Sequence, residues 1–163
     1  MAISLFAFAA CSSTGETDDA AGGTQSASAS SSASSSAGAS SGRLSEEEIR
    51  AQNALRQTVF YFDFDIAEFK NEDRDTLTFH ARDLAANPGK RVRLEGHADE
   101  RGTREYNLAL GERRANGILN YLIVNGASRS QIEVVSYGEE RSAQSGQTES
   151  AYSRNRRVEI VAR

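Results

Sequence analysis

The sequence predicts an α+β domain: a two-layer β-α-β-α-β-β sandwich, with a mixed four-stranded sheet and helices on one face. Three observations carry this. Strand-like segments at 58–65, 91–96, 132–138 and 156–162 are interleaved with two long helical patterns. The last two strand-like segments are joined by a polar stretch, 139–153, with no helical pattern, so the final connection is read as a loop. A run of Ser, Ala and Gly from Ser26 to Ser41 cannot bury enough apolar surface to fold, which leaves residues 44–163 for one ordinary core.

Each element has its own warrant. Leu44–Gln57 reads as a short helical arm. Ser45 with Glu48 three residues on is a capping box, and Ile49 and Leu55 give it only a thin apolar side. TVFYFDFD, 58–65, is rich in β-branched and aromatic residues and reads as a buried strand ending in acids. Asn71–Asn87 is helical in pattern, with Leu77, His80, Ala81 and Leu84 on one face, and Asn87-Pro88-Gly89 stops it. RVRLEG, 91–96, alternates as a strand. Thr103–Asn125 carries an apolar stripe of Leu108, Ala115, Ile118, Leu119 and Leu122, with Gly126 placed to close its C-terminus. IEVVSYG, 132–138, and RRVEIVA, 156–162, are the remaining strands. The βαβ crossovers are expected to be right-handed.

Composition narrows the function. Three acids and one arginine precede residue 44, which leaves 18 basic and 20 acidic residues in the domain. That balance gives no basic surface for nucleic acid. The single cysteine, Cys11, excludes an intramolecular disulfide and a CxxC zinc site. The scattered acids and two histidines show no metal-ligand spacing, and no nucleophile stands beside a positioned base. The reading is of a non-enzymatic protein without cofactor or metal.

The polar stretch GHADERGTREYNLALGERRAN, 96–116, is where a site is expected. Asn107, Leu110 and Arg114 are spaced by three and four and share a helix face, read as separate from the Ala115-Ile118-Leu122 stripe. Asp99 lies in the loop feeding that helix. A carboxylate and a guanidinium flanking one cavity suit a zwitterion, with Asp99 taking an ammonium, Arg114 a carboxylate and Asn107 either. Spacing alone leaves open an ordinary Asp-Arg surface pair.

Residues 1–10 are mostly apolar, too short to span a bilayer, and lead into Cys11. MAISLFAFAAC resembles the end of a bacterial lipoprotein signal, without the basic leader such signals carry. That resemblance implies a partial signal at 1–10, a lipidated Cys11 and a flexible tether over 11–43. Ser12, where the inner-membrane retention signal has Asp, favours the outer membrane. A tether of about 32 residues has an r.m.s. span of about 30 Å and a full stretch of about 110 Å, enough to reach a wall at some distance.

VFYFDFD (59–65), EGHADERGTREYNLALGERRAN (95–116), VVSYGEE (134–140) and AYSRNRRVEI (151–160) together resemble the OmpA-like C-terminal domain, over roughly residues 58–163. The resemblance implies non-covalent binding of the peptidoglycan peptide stem through meso-diaminopimelate, a ligand that carries both an ammonium and a carboxylate. Matched by position, Asp99 and Arg114 form the clamp, Asn107 and Leu110 line the pocket, and Phe62 and Asp63 form another wall. Arg156 or Arg157 adds a further cation. Glu100, Arg101 and Tyr106 shape the loop or contact protein partners. The lipoprotein branch of the family further implies the Tol system of the cell envelope, with TolB and other Tol proteins as partners and a role in outer-membrane constriction at division. A wall-binding lipoprotein outside that system, or a wall-cleaving enzyme, are the competing readings.

Overall fold

The computed structural model describes residues 44–163; the expected signal segment, Cys11 and the tether lie outside the described residues. The elements in chain order are α1 (Glu46–Arg56), β1 (Val59–Tyr61), a 3-10 turn at Asn71–Asp73 running into α2 (Arg74–Ala86), β2 (Val92–His97), α3 (Arg104–Val124), a second 3-10 turn at Arg129–Gln131, β3 (Ile132–Gly138), α4 (Glu149–Asn155) and β4 (Arg157–Ala162).

The sheet order is β1-β4-β2-β3. β4 runs antiparallel to both β1 and β2, while β2 and β3 are parallel, so the sheet is mixed as expected. Phe60 pairs with Val158, Leu94 with both Ile160 and Val134, and Val92 with Ile132. Because alternate residues share a face, these apolar side chains all project toward α2 and α3. Leu77, Ala81 and Leu84 from α2 and Ala115, Ile118, Leu119 and Leu122 from α3 complete the core. The opposite face carries Arg93, Glu95, Glu133, Arg157 and Glu159, paired as salt bridges across and along the strands.

Local rules explain most boundaries. The Ser45-Glu48 capping box forms, and Thr103 caps α3 by accepting from the Tyr106 amide. Gly126 takes φ 107° just after α3. α1 buries none of its residues, and its C-terminus is held instead by polar bonds. His80 Nε2 sits 2.8 Å from the Gln57 carbonyl, and the Gln57 amide donates to Asp73.

Three expectations are corrected. The first strand ends at Tyr61, not Asp65, because the chain leaves the ladder there and Asp65 adopts φ 59°. The stretch 139–153 is not all loop: Thr148 caps α4 by accepting from the Ala151 amide. Finally, Asn107, Leu110 and Arg114 are not on a separate face of α3. They are the N-terminal continuation of one buried stripe that includes Gly111, Ala115, Ile118 and Leu122, and Leu108 is the residue that points outward.

Close packing of α3 on the sheet makes that polar continuation possible. A Cβ on Gly96 would lie 2.0 Å from the Gly111 carbonyl oxygen, so helix and strand backbones touch where only glycine fits.

Candidate functional site: a polar cavity at the start of α3

The buried stripe of α3 turns polar toward its N-terminus, where the helix passes the end of the sheet. There Asp99, Asn107, Leu110 and Arg114 border one cavity of about 230 Å³, joined by Arg156 from the α4-β4 junction. Phe64, Asp65, Arg101, Gly102 and Tyr106 complete the wall. Phe62 and Asp63, expected in the wall, line a neighbouring groove with Arg156. Their backbones still serve the site, since Phe62 O accepts from Arg156 Nε at 3.1 Å and Asp63 O from Arg114 Nη2 at 3.0 Å.

Arg114 is fully buried, and its guanidinium is built into the fold. Nε donates to Ile66 O at 2.9 Å, Nη1 to His97 O at 3.0 Å and Nη2 to Asp63 O. It also sits 5.2 Å from the centroid of the Phe62 ring. Burial, and after it the nearby Arg156, push its pKa down to about 10, which leaves it charged at neutral pH. An arginine has five N–H donors, so three carbonyl bonds leave two for a ligand. Arg114 does not pair with Asp99 in the structure, and the ordinary surface ion pair is therefore not the explanation of their spacing.

Asp99 is held by two other arginines. Oδ2 accepts from Arg101 Nη2 at 2.6 Å and from Arg156 Nη1 at 3.0 Å, and Oδ1 accepts from the Arg101 amide at 3.1 Å. Burial alone would raise its pKa; the bonds from Arg101 and Arg156 more than offset this and hold it below the ordinary aspartate value. A carboxylate has about four acceptor sites. Oδ1, with one donor, retains room for an ammonium.

The two arginines are themselves positioned. Arg101 lies between Phe64 and Tyr152, its guanidinium 4.0 and 4.5 Å from the two ring centroids. Arg156 Nη2 donates to Glu149 at 2.7 Å. α4 therefore supplies Glu149 and Tyr152 and delivers Arg156. Arg157 turns the other way, to Glu159 at 2.6 Å and the Arg141 carbonyl, and does not border the cavity. Arg156 caps the end of α4 and Arg157 opens β4, and the two side chains leave this junction in different directions.

Sequence reasoning missed Phe64, Asp65 and Gly102 as lining residues, and gave Arg101 and Tyr106 no place in the pocket. Asp65 accepts from the Tyr106 hydroxyl across the cavity mouth. Its φ of 59°, uncommon for a side-chain-bearing residue, turns the post-β1 loop back toward α3. His97 has a different position: it is buried beside Tyr137, and neither ring nitrogen has a hydrogen-bond partner among the described residues.

Among the described residues no group of three or more His, Cys, Asp or Glu side chains is arranged to hold a metal ion, and no helix is long and apolar enough to cross a membrane.

An α+β domain whose long helix α3 and the loop before it bring a buried arginine and a carboxylate to one small cavity has the architecture of a binding module. The chain belongs to the OmpA family, whose model matches residues 61–156. Within the family it is similar to peptidoglycan-associated lipoproteins (Pal). It is 53% identical to that of Pseudomonas putida over 120 residues, 73% of this chain and 69% of the relative. It is 37% identical to that of Legionella pneumophila over 153 residues, 94% of this chain and 86% of the relative. The crystal structure of the peptidoglycan-associated lipoprotein from Burkholderia pseudomallei matches with a TM-score of 0.67 at 36% identity, over 68% of this chain and 93% of that one.

Proposed function

We propose that this chain binds peptidoglycan non-covalently, taking the meso-diaminopimelate of the peptide stem into the cavity between Asp99 and Arg114. The observation that carries the reading is the convergence of opposite charges on one small cavity. Arg114 keeps two N–H donors for a carboxylate, and Asp99 Oδ1 keeps acceptor capacity for an ammonium. Asn107 and Leu110 line the space between them, and Arg156 adds a cation beside Asp99. Phe62 and Asp63 act through their carbonyls, which orient Arg156 and Arg114. Arg157 has no part in the site. The protein is a binder and not an enzyme.

The wider reading rests on the similarity to peptidoglycan-associated lipoproteins. Lipidation at Cys11 anchors the chain in the outer membrane, the domain faces the periplasm, and residues 11–43 serve as the tether. Two or more acyl chains give a stable anchor, which raises the local concentration of the domain at the wall and makes a modest intrinsic affinity sufficient. The chain then works with TolB and other Tol proteins in the Tol-Pal system of envelope integrity and division.

A pull-down with purified sacculi tests the site. The domain is expected to co-sediment, and free meso-diaminopimelate is expected to release it. Sedimentation indifferent to excess diaminopimelate would overturn the ligand assignment, and release of soluble wall fragments would replace binding with cleavage. For the anchor, Cys11→Ser in an exported precursor should move the protein to the soluble periplasm; unchanged membrane fractionation counts against lipidation. Recovery of TolB with the anchored protein tests the Tol assignment.

A further inference from the structure

Asn107 is 1% exposed, yet only half of its amide is spoken for. Nδ2 donates to a Glu139 carboxylate oxygen, while among the described residues no donor reaches Oδ1. Asn107 borders the cavity with its side-chain amide close to Gly102, where a built Cβ would be 3.5 Å from Oδ1 and 3.7 Å from Nδ2. Gly102 is another wall residue of the same cavity. A nearly buried carbonyl without a protein donor among the described residues thus belongs to the wall of the space where a ligand is expected.

The backbone explains why Glu139 is there. Gly138 ends β3 at φ 53° and packs so tightly on α3 that a Cβ would meet Leu108 N at 2.8 Å. The next residue, Glu139, is thereby held against the first turns of α3 at Asn107.

We propose that Glu139 is a specificity-determining positioning residue: by accepting from the Asn107 amide it fixes Oδ1 toward the cavity and makes Asn107 an acceptor only. The inference rests on the peptidoglycan-stem reading of the site. An ionised carboxylate can only accept, so turning the Asn107 amide over would set two acceptors against each other. The amide that could in principle serve either end of a zwitterion is committed to the amino end. Asp99 Oδ1, already taking the Arg101 amide, and Asn107 Oδ1 together form the ammonium subsite, and Arg114 takes the carboxylate. The site is thus tuned to a stem whose third residue carries a side-chain amine, and against one lacking it.

The test compares the wall tripeptide L-Ala-γ-D-Glu-meso-diaminopimelate with the same tripeptide lacking the side-chain amine, by calorimetry on the full chain. Glu139→Gln lets the amide face either way. It is expected to weaken the amine-bearing tripeptide by about tenfold, the scale of one hydrogen bond to a charged group, and the desamino tripeptide far less. The double variant Asn107→Asp with Glu139→Gln reverses donor and acceptor between the two positions while still presenting an oxygen to the cavity, and should regain most of the lost affinity. A merely structural Glu139 would lower both affinities equally and would not be rescued; either result overturns the proposal. Should the variants fail to fold, the wild-type Asn107 side-chain amide signals decide by NMR. They are expected to stay in place as tripeptide is added, and a large downfield shift would show the amide donating to ligand and overturn it. Failure of the wild-type domain to bind either tripeptide would instead remove the reading of the site itself.

Discussion

Arg156 Nη1 lies 3.0 Å from Asp99 Oδ2, with the two side chains only 7% and 4% exposed. Asp99 is thus part of the fold as well as a candidate ligand contact. Removing one member of a buried pair costs about 3–5 kcal/mol because the other charge is stranded. Here Glu149 still contacts both Arg156 and Arg101, which moderates the loss. Asp99→Ala is therefore expected to abolish sacculus binding and to lower stability by roughly 2–3 kcal/mol. Chemical denaturation measures the second effect; an unchanged midpoint would mean that the pair contributes nothing to the fold.

Arg114 joins the loop after β1 to the end of β2 through Asp63 O, Ile66 O and His97 O. Lysine has the charge but not the planar fork, and cannot reproduce three donations in that geometry. Each buried carbonyl left unpaired costs about 1–3 kcal/mol. Arg114→Lys should therefore lose at least about 2 kcal/mol, with increased hydrogen exchange across 62–67. Wild-type protection in that segment would show that the carbonyls do not depend on the guanidinium.

These pairings mark the boundary of what was legible in the chain. The order of elements along the chain and the buried face of α2 follow local periodicity, so Leu77, His80, Ala81 and Leu84 were readable, whereas the sheet order β1-β4-β2-β3 rests on pairings far apart in sequence. Asp99, Asn107, Leu110 and Arg114 were readable because loop and helix spacing is local, although their face was wrongly separated from the apolar stripe: a buried Arg114 does not look like core. Asp99–Arg156 spans 57 positions, and no periodicity connects residues that far apart. FDFD was read as strand because alternating aromatic residues carry the strand signal, whereas the chain is turned out of the sheet by Asp65 at positive φ. α4 was missed because it is short and polar, yet Thr148, a cap residue opening TESAYSRN, was a usable signal.

His97 makes a prediction in pH. Burial, then the charges of Arg157 and Arg141, lower its pKa from 6.5 to about 4, with Glu159 opposing them. Between those two values the unfolded chain binds the extra proton, so stability should be full above about pH 6.5 and fall as pH drops toward 4. A shift of that size corresponds to at most about 3 kcal/mol. Asp99 works at lower pH, where its depressed pKa loses stability below the ordinary aspartate range. His80, lowered mainly by burial, adds a slope of the same sign. His97→Phe should flatten the dependence between pH 7 and 4.5 without removing it, as read by denaturation at fixed pH steps. A slope identical to wild type would place the titration elsewhere.

The contact between Gly96 and Gly111 sets how close α3 lies to the sheet, and so where Asn107 and Arg114 stand relative to Asp99. A methyl at Gly96 would meet the Gly111 carbonyl oxygen at 2.0 Å, and backbone cannot swing aside as a side chain does. One at Gly111 would meet Ser136 Oγ at 2.5 Å and the Gly96 backbone at 3.0 Å. Overpacking of this kind costs about 1–3 kcal/mol and more where nothing yields. Gly96→Ala is expected at or beyond the upper end, and trimming Ser136 should not rescue it, because the obstruction is main chain. Gly111→Ala should be milder and improve with Ser136→Gly. Gly89→Ala, with nothing within 4 Å of the new carbon, is the control and should stay within about 0.5 kcal/mol of wild type. Thermal melts of the five variants separate these cases, and a Gly96→Ala protein as stable as the control would show that helix and strand are free to move apart.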